Sequence, residues 1–397
     1  MFRGFGEYEV MSSIRELLHI AAKRKSLPTV LAYNRIDGPG SSLDLSEFQQ
    51  AFWSLPNMPD DLYADPMMEW TSALPRTVGI TINTGTKIYA EPFHPELIAV
   101  QSIEYGTEVT AKSGEVLPIK KNWLLKILDL FGLRGVKLVL HNLRPGIQSS
   151  GLGGSASATT GVCILANELA GRPLSPAQLV SMASHIEHGF GVSITGTQEQ
   201  SNVMFGGVCD YVWFPWGIPG RADSGYGASV RTELVPPARY DELEKRIAIF
   251  HSGISRASKD VNAVWMRALS QSAGYRLHKL KLDIAYRFRE GLRLSQWNEI
   301  RETIREYQQV RTSLCPAYMD GAKEIQGFAH ERECVVFPLG AGGGGGILVF
   351  GSDPDSVVTL RQELGEVYRE IPIKIQQQGH EIFNLPLKEQ PQWNSLS

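Results

Sequence analysis

Cysteine is scarce in this 397-residue chain: Cys163, Cys209, Cys315 and Cys334 are its only four, and no two lie at metal-ligand spacing. That scatter excludes a disulfide framework and a structural zinc centre, and a chain of this length needs neither to hold a core. Charge of one sign is missing too. Lys and Arg number 39 against 42 Asp and Glu, a formal net charge of −3, which excludes the broad basic surface of a nucleic-acid or anionic-membrane binder. No apolar run approaches the roughly 18 residues of a membrane span. Residues 1–25, "MFRGFGEYEVMSSIRELLHIAAKRK", lack the apolar stretch of a secretory leader. The residues read as those of a cytoplasmic protein with reduced, buried thiols and no nucleic-acid or membrane partner. Internal repeats and heptads are absent as well.

The length exceeds what one core usually supports, so two domains are expected. Residues 12–24 place Ile14, Leu17, Leu18 and Ala21 on one helical face behind a serine cap, which predicts a helical extension over 1–27. "TVLAYNRID" reads as a strand running into the turn "GPGSS". "RTVGITINTGTKIYAEPF" and "LIAVQSIEYGTEVTA" alternate like paired strands, "NWLLKILDLFG" is a helix ending at Gly132, and "GVKLVLHNL" is a strand. "SPAQLVSMASHIEHGFG" has a serine cap with Pro176 in its first turn. "VMFGGVCDYVWFPWG" reads as a strand. The linker-like "GIPGRADSGYGAS", 217–229, separates a first domain over 28–216 from a second over 230–397. The second half opens on the strand "RIAIFH", continues in helices over about 260–330, and closes with strand, glycine run, strand, the helix "DSVVTLRQELGEV" and a strand "IPIKIQQQG". Strands and helices mixed in both halves give an α+β class.

Glycine is what the chain has in quantity, 39 residues. The stretch "RPGIQSSGLGGSASATTG", 144–161, combines glycine with small hydroxylic residues and holds no carboxylate. Composition alone would fit a slack linker, but a strand pattern precedes it closely and a helical pattern follows. Glycines 151, 153 and 154 let a backbone approach a ligand with its N–H groups turned inward, and a helix N-terminus behind them carries partial positive charge. Hydroxyls at Ser149, Ser150, Ser155 and Ser157 can bond phosphate oxygens or a magnesium ion. The stretch has no GK[ST] and no GxGxxG spacing, so it is neither a Walker loop nor a dinucleotide fingerprint.

"SSGLGGSAS" resembles the PxxxGLGSSAA phosphate loop of the GHMP small-molecule kinases. "AYNRIDGPGSSLDL" upstream resembles that family's first motif and "LGAGGGGGILVF" downstream its third, in the family's order, so that the resemblance spans about residues 28–385. "SHIEHGFGVSITGTQEQSNVMFGGV" and "FHSGISRASKDV" are similar to segments of heptose phosphate kinases and fucokinase-like members, the sugar-kinase branch. The resemblance implies a ribosomal protein S5 domain 2-like N-terminal domain and a ferredoxin-like C-terminal domain. It implies transfer of the γ-phosphoryl of ATP, with Mg2+, to a hydroxyl of a sugar or sugar phosphate, the anomeric one being favoured, by a monomer or homodimer. A catalytically silent sugar or nucleotide sensor and an isoprenoid-branch kinase or decarboxylase stay open as alternatives.

By the same resemblance Ser149, Ser150, Gly151, Leu152, Gly153, Gly154, Ser155 and Ala156 hold the nucleotide phosphates, and Ser155 with Glu187 holds the metal. Glu199 in "TQEQ" stands where the branch has an aspartate, and becomes the base or orienting residue, with Arg35 across from it. Asp44, Ser252, Gly253 and Arg256 fall on the sugar side. Gly340, Gly342, Gly343 and Gly344 form a turn that buttresses the phosphate loop. The lysine that relatives place before that turn is replaced here by Phe337 and Pro338.

Overall fold

A computed structural model describes residues 26–52, 74–144, 146, 150–172, 174–215, 228–254 and 258–386; the helix expected over 12–24 lies outside them. In chain order the elements are β1 (Ser26–Asp37), α1 (Ser46–Phe52), β2 (Arg76–Pro92), β3 (Leu97–Ser102), β4 (Thr107–Lys112), α2 (Trp123–Leu130), β5 (Val136–Asn142), α3 (Gly154–Ala170), α4 (Pro176–Gly189), α5 (Gln198–Phe205), β6 (Val208–Phe214) and β7 (Ala228–Val235). Then follow α6 (Tyr240–Glu244), β8 (Ile247–His251), α7 (Ser258–Leu269), α8 (Ser272–Leu294), α9 (Trp297–Leu314), α10 (Lys323–Glu331), β9 (Cys334–Pro338), β10 (Gly346–Gly351), α11 (Pro354–Gly365), β11 (Arg369–Glu370) and β12 (His380–Pro386).

The larger sheet runs β12-β1-β2-β5-β3-β4, with β6 also on β2 and β7 beyond it. β2 is long enough to serve two neighbours in turn: Arg76–Ile80 pair with β6 and Thr86–Pro92 with β5. β3 pairs in parallel with β5 and antiparallel with β4. Helix α3 lies close on β1 and β2 because its residues are small. A Cβ on Gly161 would fall 2.5 Å from Ile88 and 2.9 Å from Ala32, so a larger side chain there would lift the helix off the sheet. Helix α4 begins as its residues predict, with Pro176 at its start and a reciprocal capping box between Ser175 and Gln178.

The smaller sheet is antiparallel, in the order β11-β8-β10-β9. Counting only its own strands this order is 4-1-3-2, with helices between the first and second and between the third and fourth, the plan of a ferredoxin-like unit. Its apolar face, the long helices α8 and α9, and Ile36, Val78 and Ile80 of the larger sheet share one continuous core. A second core is built from α2, α3, α4 and the other part of the larger sheet.

Two expectations change. The segment 230–397 is not self-contained: β7 pairs with β6, and β12 returns to pair along β1 from Ser26↔Pro386 to Ala32↔His380, so both belong to the larger sheet. The strand expected at "IPIKIQQQG" is instead an irregular strap between the two sheets. Ile371 N–H bonds the Ile249 carbonyl, Gln376 N–H the Thr81 carbonyl, and the Lys374 and Gln376 carbonyls accept from Asn83 and Gly207. Partners on three separate segments, β8, β2 and the α5–β6 turn, leave one isolated bridge, Ile82↔Ile375, and no continuous ladder. Among the described residues no helix is long and apolar enough to cross a membrane, and all four cysteines are buried and free.

Candidate active site

Strand alternation on β1 turns Ile36 into the core and sets Arg35 and Asp37 on the other face. A register shift between Tyr33 and Asn34 comes just before Arg35, the kind of irregularity that re-aims a side chain. Arg35 is buried. Its Nη1 donates to the Gly151 carbonyl at 2.9 Å and lies 3.6 Å from Asp37 Oδ1, and its Nη2 contacts Glu199 Oε1. Burial opposes the guanidinium charge, but Glu199, Asp37 and Asp44 together outweigh it and hold Arg35 above its ordinary range.

The glycine loop leads straight into α3. Gly151 and Gly153 take left-handed backbone, φ +72° and +83°, which glycine adopts without strain. Gly153 precedes the first helical residue, and no side chain caps the helix there. The first-turn N–H groups of α3 therefore keep their partial positive charge free for an anion. The loop is held from behind by the second glycine turn. A Cβ on Gly151 would lie 2.7 Å from the Leu339 carbonyl oxygen, and one on Gly340 would lie 3.1 Å from the Gly151 carbonyl oxygen. Gly346 N–H donates to the Ser150 carbonyl at 2.7 Å, and Gly340 N–H to Asp37 Oδ1 at 3.1 Å. Of the four glycines expected to buttress the loop, Gly340 touches it. Gly342 and Gly343 pack on Tyr318, whose carbonyl accepts from Gly343 at 2.7 Å, and Gly344 lies against Ile254.

Glu187, on α4, is fully buried. Its Oε2 accepts from the Gln200 amide at 2.6 Å, and its Oε1 has no hydrogen-bond partner. Burial first, and then the charge of Glu199, push its carboxyl up to about 7, while the side chains of Ser155, Gln200 and Ser193 pull it back. A buried carboxylate oxygen without a partner, near the Ser155 and Ser193 hydroxyls, is a hard oxygen set of the kind magnesium takes, so these residues fit that ion. Asp44 sits at the start of α5, where its Oδ2 accepts from Gln198 N–H at 3.0 Å. Burial raises it to about 6, with Glu199 adding to the rise and the Gln198 bond and Arg35 opposing it. Gly196 leaves room for this carboxylate, since a Cβ there would overlap Asp44 Oδ2.

Arg35, Asp37, Asp44, Ser155, Ser193 and Glu199 line one cavity of about 720 Å³, with Glu187 buried beside Ser155 and Ser193. Gly151, Gly153, Gly154 and Ser155 line its middle. Val100, Ser102, Glu104, Trp123, Leu140 and Asn142, from β3, β5, α2 and the β3–β4 turn, line one part. Arg35, Asp44, Ser41, Ser42, Glu199 and Trp265 line another.

Several assigned residues fall elsewhere. Leu152 lines the cavity and is also a core residue, its carbonyl accepting from Arg35 N–H at 3.2 Å, whereas Ala156 is buried inside α3. The Ser157 hydroxyl turns away to Thr86 at 2.9 Å and the Gly154 carbonyl at 3.0 Å, which removes it from the phosphate ligands. Ser252 and Gly253 do not line the cavity. Their segment zips to the glycine run, Ser252 N–H to the Gly345 carbonyl and Gly345 N–H to the Ile254 carbonyl. Ser149 and Arg256 lie outside the described residues. The sequence reading overlooked Gln200, Ser193 and Trp265, and two buried cations, Lys281 and Arg311.

Residues 119–207 match the family model described as the GHMP kinases N terminal domain, and they contain the loop, α3, Glu187 and Glu199. The chain carries that domain and has the GHMP kinase fold. A mevalonate kinase from Methanococcus jannaschii is similar at 12% identity over 88% of this chain and 98% of its own, with a TM-score of 0.60. A Lactococcus lactis galactokinase solved with galactose is 14% identical over 93% of this chain and 99% of its own, TM-score 0.57. A D-glycero-D-manno-heptose 1-phosphate kinase from Bacteroides thetaiotaomicron is 18% identical over 90% and 99%, TM-score 0.56. No curated protein matches the chain. At these identities the GHMP architecture is shared, while the acceptor must be read from the site itself.

Proposed function

We propose that this GHMP-fold protein is a sugar kinase, transferring the γ-phosphoryl group of ATP, with Mg2+, to a hydroxyl of a sugar or sugar phosphate, the anomeric one. The reading rests on one observation: the uncapped start of α3, Ser155 with Glu187 buried behind it, and the Arg35–Glu199 pair meet at a single cavity whose remaining wall offers Asp44 to a polyol. The loop N–H groups and the α3 terminus hold the triphosphate. Magnesium on Ser155 and Glu187 would supply positive charge to the phosphate oxygens. Asp44, an acceptor with two oxygens, orients sugar hydroxyls. Glu199 accepts the proton of the attacking hydroxyl, whose oxygen bonds the γ-phosphorus as the bond to the ADP oxygen breaks. Arg35 contacts Glu199 directly and so anchors the glutamate side chain, and its charge steadies the developing negative charge nearby. The polar wall around Asp44 and Glu199 suits a polyol better than an isoprenoid alcohol.

An ADP-release assay with Mg2+ and ATP over free sugars and sugar phosphates tests the reading. At least one acceptor should be turned over, and Glu199→Ala should lower kcat by about a hundredfold or more, the usual worth of a positioned base. No acceptor-dependent ADP across the panel, or wild-type turnover by the variant, would refute it.

A further inference from the structure

Behind the acceptor part of the cavity stand two cations that the phosphoryl-transfer chemistry does not use. Lys281 on α8 and Arg311 on α9 are both fully buried. Lys281 Nζ donates to Ser42 Oγ at 2.9 Å, and Arg311 Nη1 donates to Ser41 Oγ at 2.9 Å. Ser41 and Ser42 themselves line the cavity.

A serine hydroxyl has one proton to give and two lone pairs to accept with. Here a cationic N–H group already occupies the oxygen of each serine, so each hydroxyl's own proton is left to donate. Neither hydroxyl donates to another described residue. The charge behind each oxygen polarises that proton and strengthens the donor. Two adjacent, polarised donors on a cavity wall are complementary to a group that only accepts, above all an anion.

The charge balance points the same way. Among the described residues neither cation forms an ion pair. Ser42 is the one hydrogen-bond partner of Lys281, which otherwise faces the rings of Phe48 at 4.9 Å and Trp265 at 5.7 Å. Arg311 is stacked 3.4 Å from the Trp265 centroid and donates to the Gly340 carbonyl at 2.9 Å. Burial and the neighbouring Arg311 hold Lys281 well below the ordinary lysine range, against the pull of Asp44. Asp44 is already engaged by Gln198. Although Asp44 and Glu199 line this part of the cavity, no described carboxylate is in ion-pair contact with either cation, and an anion at the two serines would supply one.

We propose that Ser41 and Ser42, backed by Lys281 and Arg311, form an anion-recognition subsite, and that the acceptor is a sugar carrying a phosphate or carboxylate group. The inference rests on the sugar-kinase reading for the word acceptor, but not for the anion.

The test is calorimetric binding, without nucleotide, of D-glucose, D-galactose and D-mannose, their 6-phosphates, their uronic acids and inorganic phosphate, to the wild type, Lys281→Met and Ser42→Ala. Methionine keeps the stem between Phe48 and Trp265, and replacing a buried unpaired charge by an apolar group does not threaten folding. At least one anion is expected to bind the wild type about tenfold more tightly than its neutral parent. Each variant should lower that ratio by about tenfold, the worth of one charge-assisted contact. Preference for the 6-phosphate over the uronate, or the reverse, identifies which anion the subsite takes. Neutral sugars binding as well as anionic ones, no binding of any anion, or an unchanged ratio in a folded Lys281→Met would overturn the proposal. ADP release read separately keeps the two claims apart. Turnover of neutral sugars alone upholds the kinase and removes the subsite, while anion binding without turnover does the converse.

Discussion

Replacing Glu187 by glutamine separates the cost of a buried charge from its use. Glu187 is fully buried, with one oxygen held by the Gln200 amide and the other without a partner. Its carboxyl moves from 4.5 to about 7. At about 1.4 kcal/mol per unit, the ionised side chain costs the unliganded fold about 3 kcal/mol at pH 8. The sign follows from linkage. A carboxyl whose folded pKa is raised contributes stability that is fully present below about 4.5, declines as pH rises, and is gone above about 7. Glutamine keeps the shape and can still accept from Gln200, but it cannot ionise. Glu187→Gln should therefore leave Tm unchanged at pH 4.5 and raise it by several degrees at pH 8, the size of shift that about 3 kcal/mol produces in a chain of this length. With Mg2+ and ATP the order should invert. The wild type gains Tm at pH 8 and progressively less below pH 7, as Glu187 protonates, whereas the variant gains little at either. Thermal unfolding at pH 4.5, 6, 7 and 8, with and without Mg2+ and ATP, reads all of this. A variant no more stable than the wild type at pH 8 without ligand would refute the buried-charge argument. An undiminished Mg2+-ATP shift in the variant would refute the metal assignment.

The close approach of the two glycine turns predicts that Gly151→Ala is damaging twice over. It puts a Cβ 2.7 Å from the Leu339 carbonyl oxygen at a φ of +72°, so left-handed strain of about 1–2 kcal/mol adds to a backbone clash, and both Tm and ATP affinity should fall. Gly327→Ala, on α10 where a Cβ meets nothing within 4 Å, should instead raise stability by about 0.5–1 kcal/mol, and equal effects of the two in denaturant titrations would contradict the argument. Asp44 accepts hydrogen bonds as a carboxylate only above its value of about 6. Acceptor KM should then rise as pH falls through 6 in the wild type, and Asp44→Asn should show a raised KM with that pH dependence lost. A wild-type KM flat between pH 5 and 8 would remove Asp44 from acceptor binding.

What could be read in the residues alone was local. The glycine loop, the helix behind it and the Ser175 cap are each specified within a few positions, and Arg35, Glu187 and Glu199 were carried by short motifs that proved to meet in space. Contacts between distant segments were not legible. "EIFNLP" has no feature that selects β1, some 350 positions earlier, as its partner. The resemblance of "FHSGISRASKDV" to segments of sugar kinases would place it on the sugar side, yet Ser252 N–H and the Ile254 carbonyl are both bonded to Gly345 of the glycine run. Lys281 and Arg311 show most clearly where the limit lies. On α8 the buried stripe runs through His278, Leu282, Ala285, Phe288 and Leu292, and Lys281 belongs to it; on α9 it runs through Ile300, Ile304, Tyr307 and Leu314, and Arg311 belongs to it. A cation in register with an apolar stripe is a detectable anomaly, since such charges stay buried only where something compensates them. The compensating serines, however, lie 239 and 270 residues away, so the anomaly could be seen in the sequence but its use could not. The same separation explains why a substitution on α8, far along the chain from every glycine motif, is expected to alter which acceptor is bound.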